Sequence, residues 1–454
     1  MEQSRPVKNN TYILDIDSMD RQGMGIARLW GMAVFIPYAL AGERAEVQII
    51  KVAKRYAVGK LLRIISPSPA RTEPPCPYFR RCGGCTFMHL DYPAQLEIKR
   101  KETEQTLRRI SGLDIKVEGC RGMKEPYHYR NKAQFPLQMG KDGVKIGFYA
   151  PRSHNIVNLE RCIIQHECTE RLLSAVRKAV EQTGISIYDE ERHMGDLRHM
   201  VCRVSHKTGQ CVIMPVVNAR RLEGEETWVK ILREQVPECS GIVLNINMQK
   251  GNVILGGETK TIWGEPGLEE SLCGLDFTLS PLSFMQVNSL QAEELYMLAV
   301  EKAGLTDGEL VLDAYCGIGI MTMLMARHAG RAVGVEIVPN AVMDARAAAR
   351  RNNINNVSFE AGDCARLLPQ MLGRGLCPDV VVLDPPRAGC DRPLIDALNQ
   401  AGASRIVYVS CDPATLARDL AMLSEAYKVQ SVQLVDMFPM TGHIETVCLL
   451  SKNS

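Results

Sequence analysis

The 454-residue sequence has no apolar run that approaches the roughly 20 residues of a transmembrane helix. Its first residues, Met1-Glu2-Gln3-Ser4-Arg5, include no apolar stretch of the secretory signal type. A strong net charge is also absent, since the formal value is +2. These absences argue against a membrane partner and predict a cytoplasmic protein. The length predicts two or three domains, and no obligate protein partner is evident.

The small net charge hides an uneven distribution. Residues 1–110 contain 18 Lys and Arg against 11 Asp and Glu, so the remainder of the chain carries a negative balance. A basic N-terminal part is typical of proteins that bind a polyanion such as RNA. A solvated surface gives the same composition, and an excess of this size does not exclude it.

Residues 10–66 have the pattern of a small β-barrel. Strand-like segments at 11–16, 33–37, 45–52 and 60–65 alternate with Gly-containing turns. This spacing predicts an OB-like barrel, a fold that often binds nucleic acid. The stretch resembles the TRAM module, an RNA-binding barrel attached to RNA-modifying enzymes. Ser66-Pro67-Ser68-Pro69 reads as a linker, so we expect a barrel domain at 1–66.

Sixteen cysteines in a cytoplasmic chain are not a disulfide framework, because that compartment keeps thiols reduced. Cys76, Cys82 and Cys85 are clustered with C-x5-C-x2-C spacing around a Gly-Gly turn, which indicates a metal site. Both zinc and a [4Fe–4S] cluster are bound by four thiolates. The fourth ligand must lie further along the chain, at Cys120, Cys162 or Cys168.

Residues 67–273 are predicted to form a central α+β domain. A charged helix is expected over 91–110, and residues 168–270 show mixed helix and strand patterns without a chemical motif. The stretch Tyr127–Lys132 combines aromatic rings with cations, a combination that stacks on unpaired bases and neutralises phosphates. A plain β-edge explains the same stretch equally well.

From residue 274 to 454 helices and strands alternate, which predicts a doubly wound parallel sheet that ends in a β-hairpin. The strand Leu310–Asp313 precedes a G-x-G turn at Gly317 and Gly319, and Glu336 ends the next strand. A carboxylate in that position accepts hydrogen bonds from ribose hydroxyls. Alone, this pattern fits both a nicotinamide site and an S-adenosylmethionine site.

The motif Asp384-Pro385-Pro386-Arg387 favours the S-adenosylmethionine site over the nicotinamide site. A polar residue followed by two prolines gives a stiff loop at the sheet edge, of the kind that positions a planar base in many methyltransferases. A helix cap is the alternative role for Asp384.

Cys411 lies between a buried strand and the start of a helix at Asp412-Pro413. We expect it at the ligand-binding edge of the sheet, with a thiol pKa lowered by the helix N-terminus. A thiolate that adds to carbon 6 of uracil makes carbon 5 nucleophilic enough to accept a methyl group. A base must then remove the carbon 5 proton. We assign that role to Glu445, with His443 as the competing base.

With these motifs in place, the chain resembles the RNA (uracil-5-)-methyltransferase family, in particular its iron–sulfur-containing branch that acts on large-subunit (23S) ribosomal RNA. The resemblance covers nearly the whole length. It implies a C-terminal Rossmann-like class I methyltransferase domain, with Cys411 as nucleophile and Glu445 as base. It further implies S-adenosylmethionine contacts from Gln286, Tyr315, Glu336 and Asp384, and a [4Fe–4S] cluster held by Cys76, Cys82, Cys85 and Cys162.

Two other functions stay open. One is a transfer RNA uridine methyltransferase, since the motifs do not determine which RNA is modified. The other is a non-catalytic RNA-binding or assembly protein that uses the fold as a platform and the cluster as a redox sensor. The presence of both Cys411 and Glu445 argues against the second.

Overall fold

The computed structural model describes residues 5–453, so Met1–Ser4 of the N-terminal segment discussed above lie outside the described residues. The first five strands form a closed barrel in the order β1-β2-β3-β5-β4, which confirms the predicted barrel. The strands are β1 (Thr11–Met19), β2 (Met24–Leu29), β3 (Met32–Pro37), β4 (Arg44–Val52) and β5 (Tyr56–Ser66). Alternate residues such as Val34, Ile36, Val47 and Ile49 fill the interior.

A loop that carries the first three clustered cysteines leads into helix α1 (Tyr92–Ser111). Asp91 caps this helix, because its side chain accepts a hydrogen bond from the Ala94 N–H at 2.7 Å. Gly112 ends the helix in the left-handed conformation that glycine adopts without strain. A two-residue strand, β6 (Cys120–Arg121), follows.

The central part of the chain is an α+β unit with a seven-stranded sheet. Its strands are β7 (Lys132–Gly140), β8 (Gly143–Tyr149), β9 (Ile156–Asn158), β10 (Leu197–Val204), β11 (Cys211–Val217), β12 (Cys239–Ile246) and β13 (Glu258–Gly264). Its helices are α2 (Cys168–Thr183) and α3 (Glu225–Gln235). The strand order is β13-β12-β11-β10-β7-β8-β9. The two helices pack on one face of the sheet, and the other face packs against the C-terminal part of the chain.

The C-terminal part begins with a two-stranded hairpin and continues as alternating helices and strands. The strands are β14 (Leu268–Leu272), β15 (Leu275–Leu279), β16 (Leu310–Asp313), β17 (Arg331–Glu336), β18 (Val357–Ala361), β19 (Val380–Leu383), β20 (Arg405–Ser410), β21 (Tyr427–Val435) and β22 (Glu445–Lys452). The helices are α4 (Ser289–Ala303), α5 (Ile320–Ala326), α6 (Pro339–Arg351), α7 (Cys364–Gly373), α8 (Arg392–Ala401) and α9 (Pro413–Leu423).

The eight-stranded sheet has the order β18-β17-β16-β19-β20-β22-β21-β6. Strands β18 to β20 run parallel, and β22 and β21 complete the sheet as an antiparallel pair. This is the doubly wound α/β architecture predicted above. Central strands such as β19 are buried throughout, as parallel strands covered by helices on both faces must be.

Two elements from before residue 126 belong to this C-terminal sheet by packing. Helix α1 packs along α9, and Leu107 joins the same hydrophobic core as Leu416 and Leu420. Strand β6 pairs with β21 and forms the edge of the sheet. The predicted domain boundary between residues 273 and 274 therefore does not coincide with a boundary in packing, because α1 and β6 pack with the C-terminal sheet. No helix within residues 5–453 is long and apolar enough to cross a bilayer.

Candidate active site

Cys411 follows β20 directly and precedes α9, as the sequence indicates. Asp412 caps α9, since its side chain accepts the Ala414 N–H at 2.8 Å. Strands β20 and β22 are paired with Ser410 opposite Thr446. Cys411 and Glu445 are the next residues at this end of the pair. The charge of Glu445 acts on the Cys411 thiol, so the two groups are neighbours.

The surroundings of Cys411 raise the pKa of its thiol to about 11, chiefly through burial and then through the negative charges of Glu445 and Asp384. Arg387 opposes this rise. The expectation of a lowered pKa from the helix N-terminus is therefore wrong in this state. The partial charge of a helix end is outweighed by burial together with two carboxylates.

Both carboxyl groups beside Cys411 also have raised pKa values. Burial raises the pKa of Glu445 well above its usual range, with a further contribution from Asp384 and an opposing one from Arg387. Burial and the charge of Asp313 raise the pKa of Asp384 to about 7. These carboxyl groups therefore retain their protons at a higher pH than usual. A carboxyl group with a raised pKa is a correspondingly stronger base once it is ionised.

The carboxyl ends of β16 and β17 form a second part of the site. Asp313 is buried and accepts a hydrogen bond from the Thr322 hydroxyl at 2.6 Å. Glu336 accepts the backbone N–H groups of Gly317, at 3.1 Å, and Val338, at 2.8 Å. The Glu336 carboxylate is therefore fixed against the G-x-G turn, at the edge of the sheet where open α/β folds bind ligands.

The glycines of the turn have separate structural reasons. At Gly319, φ is +80°, and an added Cβ would lie 2.7 Å from the Phe359 ring. At Gly317, φ is +53°, and an added Cβ would meet open space. Gly319 is thus needed for packing, whereas Gly317 keeps the backbone open toward the sheet edge.

Gln286 and Tyr315 flank the same edge. Gln286 lies in the loop before α4 and is buried, and its carbonyl oxygen accepts the Asn131 side-chain amide at 2.9 Å. The Tyr315 ring is half-buried against the core, with its hydroxyl 4.0 Å from the Cys390 sulfur. The six residues named for catalysis and donor binding therefore all lie at or beside the carboxyl edge of the sheet.

Sequence reasoning missed two residues of this region. Asp363 follows β18 at the same edge and caps α7 by accepting the Ala365 N–H at 3.0 Å. Tyr296 on α4 lies close enough to Asp384, Asp313 and Glu445 for their charges to raise the pKa of its phenol, after burial as the main cause. Asp363 could have been found from the sequence, because it follows β18, the third strand of the parallel sheet along the chain. The position of Tyr296 inside a helix gave no signal.

A cavity of about 600 Å³ opens in front of Cys411. Its walls come from all three parts of the chain: the barrel contributes Arg21–Met24, the cysteine loop Cys82–Phe87, and the C-terminal part Arg387, Cys411 and Thr441–Ile444. This volume falls within the range of about 300–1,000 Å³ that holds small ligands. Cys411 therefore faces an open site between domains.

The barrel loop after β1 is fixed directly against the site. Arg21 donates to Asp412 at 3.4 Å, beside Cys411. A Cβ at position 442 would overlap the carbonyl oxygen of Arg21, so only glycine allows this approach. The barrel is thus a wall of the cavity.

The segment between β21 and β22, which leads to Glu445, is held from several sides. Lys99 on α1 forms a fully buried ion pair with Asp436 at 2.5 Å. The Thr86 and Phe87 N–H groups of the cysteine loop both donate to the Met440 carbonyl oxygen at 3.0 Å. His443 lines the cavity, and burial lowers the pKa of its ring.

Cys76, Cys82, Cys85 and Cys162 line one small cavity between the cysteine loop and the segment after β9. Burial raises the pKa of Cys162 to about 11, and burial together with the other three thiols raises that of Cys85. Of the three candidates for a fourth member, only Cys162 lies here. Cys120 is on the edge strand β6, and Cys168 belongs to another group.

That other group consists of Cys168, Cys202 and Cys211, whose sulfur atoms lie within 4.8 Å of one another. It is the only His, Cys, Asp and Glu group this close in the part of the chain that the structure describes. All three residues are completely buried. No three of the sulfur atoms of Cys76, Cys82, Cys85 and Cys162 lie within 4.8 Å of one another.

Comparison with known proteins agrees with this arrangement. Residues 91–453 match the family described as tRNA (Uracil-5-)-methyltransferase, and residues 8–62 match the TRAM domain. An uncharacterized RNA methyltransferase of Clostridium tetani is 44% identical over 99% of this chain and 98% of its own. Another from Halalkalibacterium halodurans is 42% identical over 99% of each chain.

A solved structure is also similar over nearly the whole chain. The tRNA (uracil-54, C5)-methyltransferase of Pyrococcus abyssi, in complex with S-adenosyl-L-homocysteine, has a TM-score of 0.77 and 27% identity. The match covers 97% of this chain and 100% of that one. With the family match spanning most of the sequence and close relatives along its full length, the chain belongs to the RNA (uracil-5-)-methyltransferase family and is a methyltransferase with an N-terminal TRAM domain.

Proposed function

We propose that this enzyme methylates carbon 5 of a uridine in large-subunit ribosomal RNA, with S-adenosylmethionine as methyl donor and a covalent link to Cys411. The observation that carries the proposal is that β20 and β22 are paired up to Ser410 and Thr446, so that Cys411 and Glu445 follow at the same end of the pair, where the charge of Glu445 acts on the Cys411 thiol. A nucleophile and a base on adjacent strands are the two groups that methylation of an unactivated pyrimidine carbon requires.

In the first step the Cys411 thiol releases its proton to solvent in the open cavity, and the resulting thiolate forms a bond to uracil carbon 6. The electron pair of the carbon 5–carbon 6 double bond moves to carbon 5 and the adjacent carbonyl, which gives an enolate. Arg387 stabilises the thiolate electrostatically, because its charge opposes the rise in the Cys411 pKa. Carbon 5 then takes the methyl group, and S-adenosylmethionine leaves as its neutral thioether.

In the second step Glu445 accepts the proton from carbon 5. The electron pair of that C–H bond re-forms the carbon 5–carbon 6 double bond, and the bond to the Cys411 sulfur breaks. The buried position of Glu445 suits it to this role, since the raised pKa of its carboxyl group makes its ionised form a stronger base.

The donor would bind along the carboxyl edge of β16 to β19. Glu336, fixed by two backbone N–H groups, would accept the ribose hydroxyls. Gln286, Tyr315 and Asp384 would complete the donor site. The target base must leave its stack to reach Cys411, so an RNA loop or bulge suits the cavity between the barrel and the C-terminal part.

Cys76, Cys82, Cys85 and Cys162 would hold a [4Fe–4S] cluster. Their four thiols line one cavity, and four thiolates are the ligand set that such a cluster needs. When bound, such a cluster supplies a rigid, thiolate-ligated cross-link between the cysteine loop and the segment that carries Cys162. The N–H groups of Thr86 and Phe87, next to Cys85, would then keep the Met440 segment in place.

The test uses the full chain purified without oxygen, with labelled donor and unmodified RNA. We expect 5-methyluridine in large-subunit ribosomal RNA, none from Cys411→Ala, and an accumulated covalent RNA adduct from Glu445→Gln. The adduct follows because Glu445→Gln can form the Cys411–carbon 6 bond but cannot remove the carbon 5 proton. Normal turnover by Glu445→Gln would refute its role as the base.

A transfer RNA substrate is the second candidate, favoured by the similarity to the Pyrococcus abyssi enzyme that acts on transfer RNA. Label in transfer RNA alone would retain the Cys411 chemistry and change the substrate. A protein that binds RNA but forms no adduct with 5-fluorouridine RNA would instead be a non-catalytic platform.

A further inference from the structure

Two cationic side chains of the central sheet form no ion pair and have no role in the active site described above. Lys132 on β7 and Arg203 on β10 are directly opposite each other in the strand register. Like charges at directly opposite positions destabilise a sheet. Arg203 is only 5% exposed, and its Nε atom has no hydrogen-bond partner. An uncompensated charge of this kind is costly to bury, so the pair needs an explanation.

Within the part of the chain that the structure describes, no carboxylate compensates the charge of the pair. Burial lowers the pKa of Lys132 to about 8, and the charged groups that act on it, Arg203 and Arg130, are both positive. The pKa of Arg203 is lowered by burial alone. Among residues 5–453, no Asp or Glu forms an ion pair with Lys132 or Arg203.

The position of the pair connects it with the reaction site. Alternate residues of β7 and β10, such as Ala133 and Cys202, pack under α2, so Lys132 and Arg203 are on the opposite face. On that face Val201 packs in one core with Met285 of the C-terminal part. The pair therefore lies where the central sheet meets the loop that carries Gln286.

Hydrogen bonds fix this junction. Asn131, next to Lys132, donates its backbone N–H to Val287 at 2.8 Å and its side-chain amide to the Gln286 carbonyl at 2.9 Å. The same amide donates to the Ser289 hydroxyl at 2.9 Å. Arg130, two positions before Lys132, is close enough to His443 of the cavity to contribute to the lowering of its pKa. The charge of Arg130 therefore acts on a residue of the cavity wall.

We propose that Lys132 and Arg203 form a binding site for an oxyanion group of a reactant, at the junction of the central sheet and the Gln286 loop. Cationic groups that are already partly desolvated bind a phosphate or carboxylate oxygen more strongly than fully hydrated ones, because less water must be removed from them at that moment. The oxyanion is either a backbone phosphate of the RNA or the carboxylate of the methyl donor. This assignment rests on the proposed function for the identity of those two reactants.

The experiment compares Lys132→Met and Arg203→Met in the full chain. A matched control is Lys145→Met, which removes an exposed lysine from β8 of the same sheet. The probes are polyuridylate and S-adenosylhomocysteine, and the affinity for each is measured without turnover. Failure of the proposed methylation would leave both binding measurements valid, so the two hypotheses fail separately.

If the oxyanion is a phosphate, each variant weakens polyuridylate binding by about tenfold and lowers the salt-dependence slope by about one. S-adenosylhomocysteine affinity then stays unchanged. If it is the carboxylate, the loss of about tenfold is seen with S-adenosylhomocysteine alone. In both cases the ligand-free variants melt at a higher temperature than the unchanged protein, because an unpaired buried cation has been removed.

A purely structural role would produce the reverse pattern. Lower melting temperatures with both affinities within twofold of the control would overturn the proposal. Arg203→Lys, which keeps the charge, should recover most of the affinity if the site binds an oxyanion, and failure of this variant to exceed Arg203→Met would also count against it.

Discussion

The two groups of clustered cysteines differ in how they are built. Cys76, Cys82 and Cys85 are close in sequence, and with Cys162 they line a cavity between segments. Cys168, Cys202 and Cys211 come from a helix and two strands, and their sulfurs are closer together but completely buried. The thiols that lie closest together are therefore in the hydrophobic core, whereas the thiols carried by a loop with short spacing surround a cavity.

The largest expected difference between the two cysteine groups is in the iron content of their variants. We expect Cys85→Ser to lower the iron content of anaerobically purified protein to background, because one of four thiolate ligands is lost. Cys202→Ser, the matched control, should retain all of it. Elemental analysis of iron and sulfide per chain makes the comparison. Equal iron in both variants would mean that the cavity thiols do not hold a cluster.

The next effect concerns reactivity and adds Cys411 to the comparison. Since the pKa of its thiol is about 11, the thiolate fraction should increase about tenfold for each pH unit between 7 and 10. The rate of alkylation by iodoacetamide should follow, whereas Cys202 and Cys211 should not react in the folded protein. Peptide mass spectrometry measures each thiol separately.

The variant Arg387→Gln tests whether neighbouring charge shifts the pKa of the Cys411 thiol in the expected direction. Loss of the cation should raise the Cys411 pKa further and slow its alkylation at pH 8 by a few-fold. An alkylation rate for Cys411 that does not change with pH would show that its thiol is already ionised.

The smallest effect concerns stability. Cys202→Ser places a hydroxyl group in an apolar core, and we expect it to lower the free energy of unfolding by about 1–3 kcal/mol. Cys82→Ser, beside solvent in the cysteine loop, should change it less in cluster-free protein. Urea denaturation monitored by circular dichroism gives both values. A larger loss from Cys82→Ser would reverse the assignment of structural and functional thiols.

The parts of the fold that follow from local pattern were predictable. Four of the five barrel strands and the alternating helices and strands were predicted because each has its own periodicity, whereas β2 (Met24–Leu29) was not predicted. The juxtaposition of Cys411 and Glu445 was expected as well, since the last hairpin strand returns beside β20. The direction in which the pKa of the Cys411 thiol shifts was not expected, because it depends on how deeply two carboxylates are buried.

Features assembled from distant segments were not accessible from the sequence. Nothing in the sequence distinguishes Arg203 from a surface arginine until β10 is paired with β7. Tyr129 was expected among residues that stack on bases, yet it is buried with its hydroxyl donating to the Pro439 carbonyl at 3.0 Å. The Tyr127–Lys132 stretch therefore contributes cations but not this ring.

The short strand β6 has a consequence for how the protein can be divided. It covers the outer edge of β21, whose backbone would otherwise be free to pair with another chain. Helix α1 likewise covers apolar residues of α9. A fragment that starts at residue 274 would retain strands β15 to β22 but expose both surfaces, and we expect it to aggregate. Co-expression of residues 86–126 with that fragment should restore solubility.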